Sequence, residues 1–192
     1  ACAVSSVDSQ QINDEGEQGL FPMIPGHEAV GEVTKIGAQV HSLAVGDTVI
    51  PLVVPQCNRC DVCLSDKSNL CQAIQDTQNM GVMPDGKSRF SHQDKEVKTC
   101  LGVSGFATYV VMPEISLAKI PKGLPAAELA VLCGSMVSGL GAVFNQADLL
   151  GGENIAVFGA GPVGLGVVQA ARMRHANNIT VSYTHLTLPT RS

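Results

Sequence analysis

Four cysteines constrain this chain more than any other feature. Cys57-Asn58-Arg59-Cys60-Asp61-Val62-Cys63 is followed, seven residues later, by Cys71. Four thiolates complete a tetrahedron around one zinc ion, with Zn–S bonds of about 2.3 Å. When the protein fills all four positions, none is left for a substrate, so such an ion is structural. It also supplies what the surrounding stretch lacks. Residues 61–100 are polar with little periodicity, and a loop that long inside a compact domain needs something to hold it in place. A zinc ribbon for nucleic acid uses similar ligands, but as two separated pairs in a basic setting. Here three cysteines lie close and one is distal, and the chain carries a formal net charge of -5. Binding to nucleic acid needs a basic face, so that partner is excluded. The chain has seven cysteines. An odd count with four clustered points to metal in a reducing compartment, hence the cytoplasm, rather than to a disulfide framework.

The rest of the chain divides in two. Its 192 residues suffice for one full domain and part of another, and 45% hydrophobic content supports a packed core. There is no Trp and only 4% aromatic residues, so the core rests on Val and small residues. No apolar run approaches a membrane span. Up to about Pro121 the pattern is β-rich. Strands are predicted at Ala29–Gly37, at Thr48–Val53 after a Gly46-Asp47 turn, and at Phe106–Met112. From Pro125 to Asn145 the pattern is helical, interrupted by Gly134, Gly139 and Gly141. A short buried strand, Asn154–Phe158, then runs through a glycine-rich turn into a helix ending near Arg174. A further strand follows at Ile179–Val181.

That turn is Gly159-Ala160-Gly161-Pro162-Val163-Gly164. Between a strand and a helix, each glycine has a physical role in dinucleotide binding. Gly159 makes the tight turn, Gly161 lets the backbone approach a pyrophosphate, and Gly164 packs the helix on the strand. The helix N-terminus presents free N–H groups and partial positive charge to the phosphate. The alternative is a packing turn in an α/β protein that binds no nucleotide.

Several motifs together resemble the zinc-dependent medium-chain alcohol dehydrogenases. The spacing of Cys57, Cys60, Cys63 and Cys71 is similar to that family's structural zinc lobe. Gly26-His27-Glu28-Ala29-Val30-Gly31-Glu32-Val33 resembles its Gly-His-Glu signature, and Gly46-Asp47-Thr48-Val49 its next strand. The resemblance is closest to the class III group, the S-(hydroxymethyl)glutathione dehydrogenases. It is carried by Asn69–Ile74, Met83–Phe90 and Pro113–Ile120, and it runs from Ala1 to about Thr180. It implies a β-rich GroES-like barrel with a structural zinc lobe, followed by the truncated start of an α/β Rossmann domain. The barrel domain would occupy residues 1–150, lacking its N-terminus and including the lobe at 57–103. The Rossmann start would occupy 151–180. Residues 181–192 resemble one reading frame of a transposon-type sequencing adapter, and we expect them to be a non-native tail.

The resemblance also implies a chemistry. Zinc and NAD would serve hydride transfer between a small alcohol or aldehyde and the nicotinamide, in a parent that is a homo-oligomer. This chain is then an incomplete, inactive fragment of that parent. In the family a catalytic zinc binds two Cys and one His. His27 matches the His, and Glu28 matches an adjacent acid that joins the metal transiently. Ser5 stands where the first Cys belongs, and a neutral hydroxyl is a far poorer ligand than a thiolate. Val7 replaces the hydroxyl residue that relays the alcohol proton. Cys133 lies in the segment of the second Cys, although its interval to Gly139 is one residue longer than the class III pattern. Cys2 reads as a core residue, and Cys100 has no counterpart role. The acids that recognise glutathione correspond to Gly16 and Gln18, the matching Arg to Gln75, and the ribose-binding acid to Tyr183. Two readings follow. One is an active enzyme with an altered zinc site; the other is a non-catalytic zinc-binding relative.

Overall fold

The computed structural model describes residues 1–13, 20–65 and 67–183. They form two compact units, one from Ala1 to Cys133 and one beginning at Gly134.

The first unit opens with β1 (Cys2–Ala3), which pairs antiparallel with β3 (Glu28–Ala29). Ala1 and Val30 extend the ladder by exchanging backbone hydrogen bonds of 2.8 and 2.9 Å. A helix, α1 (Ser6–Asn13), follows directly where a β-rich pattern was expected. Its start is a capping box. The Ser5 hydroxyl accepts from the Asp8 amide at 3.2 Å, and the Asp8 carboxylate accepts from the Ser5 amide at 2.9 Å.

An antiparallel sheet of β4 (Gly31–Glu32), β5 (Thr48–Pro51) and β8 (Leu117–Ile120) carries one small core. Val33, Leu43 and Val49 are buried in it, with Val40 and Leu117 packed alongside. The Gly46-Asp47 turn forms as the sequence implies. Gly46 takes φ +85°, and the buried Asp47 carboxylate accepts from the Ala44 amide and pairs with Lys119 at 2.8 Å.

The stretch 61–100 is more structured than its polarity implies. It contains α2 (Gln72–Asn79) and a hairpin of β6 (Phe90–His92) and β7 (Lys95–Thr99). Gln93 and Asp94, both at positive φ, close that hairpin as a two-residue turn. β2 (Met23–Ile24) adds to β7 in parallel, so the lobe is stitched to the body by backbone bonds. Gln78 strengthens this by donating to the carbonyls of Val53 (2.6 Å) and Leu101 (2.9 Å). Such short elements leave no periodic trace in the sequence.

The strand expected at Phe106–Met112 does not form. Gly105 and Phe106 instead donate to the carbonyls of Gly26 and Pro25. Tyr109, Val110 and Val111 are all exposed, so the apolar run has no buried face.

The helical region near Pro125 is broken into short pieces. Pro125 caps α3 (Ala126–Leu129), and a 3-10 turn carries the chain to Cys133. Gly134, at φ -122° and ψ -85°, interrupts the helical path before α4 (Ser135–Gly141). The chain then widens into a π-helical turn over Ala142–Gln146. The second compact unit begins at this break, at Gly134.

In the second unit β9 (Asn154–Phe158), α5 (Pro162–Met173) and β10 (Asn178–Ser182) form one β–α–β unit with parallel strands. The strand register runs from Asn154 opposite Asn178 to Phe158 opposite Ser182. Val181 and Ser182 thus pair within the sheet, while residues 184–192 of the expected tail lie outside the described residues. Val143, Leu149, Ala170 and Ala171 make the core, with Phe144, Ile155 and Ile179 packed against it. Gly139 lets α4 meet α5 backbone to backbone. A β-carbon there would strike the Val163 carbonyl oxygen and lie 2.7 Å from the Val167 nitrogen. We therefore expect Gly139→Ala to lower stability by about 1–3 kcal/mol through overpacking. An unchanged midpoint in chemical denaturation would refute this close crossing.

Candidate functional site

Cys57, Cys60, Cys63 and Cys71 bring their sulfurs within 4.8 Å of one another. All four thiols are free. Cys57 and Cys63 Sγ are 3.8 Å apart, and Cys60 and Cys71 Sγ are 4.0 Å apart. A disulfide needs about 2.05 Å. A tetrahedron with Zn–S bonds of about 2.3 Å has edges of about 3.8 Å, so the spacing is that of a zinc cage. Asn58, at φ +58°, bends the chain so that the Cys60 amide points at Cys57 Sγ at 3.4 Å. The backbone amides of Arg59 and Cys60 pull the Cys57 thiol down to about 6. Burial and the neighbouring Cys71 and Cys60 push Cys63 up to about 11. A metal ion would displace the protons of the cage. Cys71, buried at the N-cap of α2, ties the cage to that helix.

A second group gathers around His27. Asp8, His27 and Cys100 place one ligand atom each within 4.8 Å of one another, and all three are buried. Asp8 Oδ1 accepts from the Gly26 amide at 3.0 Å and lies 3.5 Å from His27 Nδ1. Asp8 Oδ2 accepts from both the amide and the hydroxyl of Ser5. Burial acts to raise the Asp8 carboxyl, but these hydrogen bonds outweigh it and hold the group below the usual aspartate range. The Ser5 hydroxyl is therefore engaged as helix cap and as donor to Asp8.

Glu28 is buried on β3 next to His27. Cys133 packs against this main chain. Its sulfur accepts from the Ala29 amide at 3.2 Å and lies 3.4 Å from the His27 carbonyl oxygen. Burial pushes its thiol up to about 11. Among the described residues, His27, Glu28 and Cys133 are not brought together as three ligand atoms within 4.8 Å. The helical path breaks at Gly134, within the interval from Cys133 to Gly139. Gln75 lies on α2, whereas Gly16 and Gln18 lie outside the described residues.

The glycine turn joins β9 to α5. Gly159 has φ +104°. Gly161, the N-cap of α5, has open space around the position of a β-carbon. At Gly164 a β-carbon would run into the Gly159 carbonyl oxygen, so only glycine allows this helix–strand approach. Pro162 occupies the first turn, where its missing N–H costs nothing. The α5 N-terminus thus has unobstructed amides facing the turn. Tyr183 supplies no carboxylate for a ribose.

Residues 1–122 match the alcohol dehydrogenase GroES-like domain family, and the chain belongs to that family. It is 42% identical over 176 residues to the S-(hydroxymethyl)glutathione dehydrogenases of Photobacterium damsela subsp. piscicida and of a Synechocystis species. That similarity covers 92% of this chain and 48% of each relative. Among solved structures, an alcohol dehydrogenase zinc-binding domain protein from Burkholderia ambifaria superimposes with a TM-score of 0.86 at 28% identity, covering 94% of this chain and 49% of that one. Benzyl alcohol dehydrogenase from Acinetobacter calcoaceticus gives 0.84 at 26% identity, covering 94% and 48%. The chain spans about half the length of the relatives it matches.

Sequence reasoning passed over Asp8 and gave Cys100 no counterpart role. The Ser5-Ser6-Val7-Asp8 spacing is a capping-box signature and was legible in principle. Nothing local points from Cys100 to His27, because their meeting is a tertiary fact. Two outcomes test this arrangement. Chelation of bound zinc should expose residues 57–79 to limited proteolysis while β9–α5–β10 stays intact, and unchanged cleavage would mean the cage holds no ion. Ser5→Ala should lower stability by about 1–2 kcal/mol, as loss of an N-cap does, read by the same denaturation midpoint.

Proposed function

We propose that this chain is part of a zinc-containing, NAD(P)-linked oxidoreductase that moves hydride between a small alcohol or aldehyde and a nicotinamide cofactor. The observation that carries this reading is one chain holding both a four-cysteine cage and an open glycine turn at a helix N-terminus. The cage residues fit a structural zinc, whose contribution is to close the lobe. The turn fits a dinucleotide. The backbone at Gly159 and Gly161 would accommodate the pyrophosphate, Gly164 would hold the helix close, and the first amides of α5 would bind phosphate oxygens. Bound NAD or NADP supplies the hydride acceptor. Seven free thiols and the acidic charge accord with a cytoplasmic protein that does not bind nucleic acid. Among the described residues no single helix is long and apolar enough to cross a membrane. The family resemblance supports a homo-oligomeric parent.

The donors at Ser5, His27 and Cys133 do not fit a catalytic zinc. Ser5 is spent on Asp8, and Cys133 is engaged with the Ala29 amide and the His27 carbonyl. This observation favours a second reading, in which the protein keeps the fold, the structural zinc and the nucleotide turn but not alcohol oxidation. Val7 agrees with it, since a valine cannot relay a proton.

The two readings separate in one experiment on protein carrying this sequence together with the rest of the nucleotide-binding half. Substituting Ser5→Cys with Val7→Thr should raise alcohol-dependent NAD(P)H formation at least tenfold from a negligible baseline if the second reading holds. Substantial turnover before substitution, little changed by it, would establish the first reading.

A further inference from the structure

We propose that the four-cysteine cage is also an oxidation site. A peroxide joins Cys57 to Cys63 and Cys60 to Cys71, and the two disulfides take over the closure of the lobe as the zinc leaves. The proposal rests on the zinc reading of the cage and on nothing in the dinucleotide half.

Four cysteines can pair in three ways, and the sulfurs choose among them. Cys57 Sγ lies 3.8 Å from Cys63 Sγ, and Cys60 Sγ lies 4.0 Å from Cys71 Sγ. The two contacts share no atom, so all four sulfurs are already sorted into couples. To reach the disulfide length of about 2.05 Å, the first couple must close by about 1.8 Å and the second by about 2 Å. Rotation about the Cα–Cβ bonds supplies movement of that size. Exposure sets the order. Cys57, Cys60 and Cys63 are half-buried, whereas Cys71 is 1% exposed. The first couple meets the oxidant with both members and the second with only one, so Cys57–Cys63 forms first.

The step balances with a peroxide as oxidant. One thiolate of a couple attacks the peroxide, the O–O bond breaks, and a sulfenic acid and a hydroxide form. The other thiolate attacks the sulfenic sulfur, the S–O bond breaks, and a second hydroxide leaves as the S–S bond forms. Two protons turn both hydroxides into water. Each couple loses two electrons, and one peroxide is reduced to two waters. The first disulfide removes two of the zinc's four ligands, and an ion left with two thiolates is released. The lobe stays closed nonetheless. Cys57–Cys63 spans the bend at Asn58, and Cys60–Cys71 ties that segment to the N-cap of α2. Covalent bonds thus replace the attachments that the metal makes.

The other thiols lack this arrangement. Cys100 and Cys133 are buried. The Cys100 sulfur lies against Gln11, and the Cys133 sulfur against the Ala29 amide and the His27 carbonyl. Cys2 Sγ lies 3.6 Å from the Ala3 carbonyl oxygen.

The test is titration of the purified, zinc-loaded 192-residue chain with hydrogen peroxide. A metallochromic dye reads zinc release. Mass spectrometry reads the disulfides after cleavage at Arg59 and Asp61, which separates Cys57, Cys60 and Cys63. Loss of the cage zinc together with four of the seven thiols is expected, in the stated pairing, with Cys57–Cys63 appearing first. Residues 57–79 should resist limited proteolysis in the oxidised, zinc-free chain and become susceptible once dithiothreitol is added with a chelator present. Either of the other two pairings would overturn the proposal. So would zinc loss with only sulfinic or sulfonic acids formed, cleavage within 57–79 of the oxidised chain, or a cage unchanged by peroxide that oxidises free cysteine. A chain that cannot be loaded with zinc, yet forms the same two disulfides, would fail the zinc reading alone and sustain the pairing.

Discussion

One buried carboxylate organises the first unit. Asp8 is removed from water, and a buried charge is tolerated only when hydrogen bonds replace its hydration. Both oxygens are supplied: one by Ser5 and the other by the Gly26 amide. Those bonds fix the entry of α1 against the segment that carries His27. The same carboxylate therefore sets where the imidazole sits and what it faces. Ser5 is best understood from this hub. Its hydroxyl caps a helix and donates to the buried charge, and that is a demand on the oxygen that competes with any role toward a metal.

The family's features are unevenly preserved, and the physics explains the pattern. The cysteine cage depends on closely spaced residues and a few tight turns, so it survives as a local unit. The glycine turn is local too. The centre around His27 is different, because it needs groups from distant stretches to converge. There, among the described residues, Asp8, His27 and Cys100 gather one donor atom each within 4.8 Å of one another. Cys133 serves the backbone of its neighbours, while Cys100 approaches from the end of the hairpin.

Legibility in the sequence follows the same division. Cys57 to Cys71 were readable because spacing alone encodes a tetrahedron. Asn154–Phe158 and the helix after Gly161 were readable because a buried strand, three glycines and a long periodic segment agree. The hairpin and α2 were hidden in 61–100, since elements of three to eight residues show no period above the noise of a polar stretch. Phe106–Met112 misled for the converse reason. Its apolar residues suit a strand, but the backbone at Gly105 and Phe106 is already bonded to Pro25 and Gly26, and the side chains beyond stay exposed. The capping role of Asp8 was local, but its meeting with His27 and Cys100 is tertiary.

The glycine crossing of α4 and α5 has a consequence for recognition. With no side chain between the two backbones at Gly139, α5 cannot tilt without opening a gap or a clash. The second contact, Gly164 against Gly159, holds the other side of the same helix. The amides at its N-terminus are thus fixed before any anion arrives. The phosphate binding proposed there would sacrifice little backbone freedom, with affinity gained through preorganisation rather than through added contacts. Glycine, usually the residue of flexibility, here makes the helix rigid.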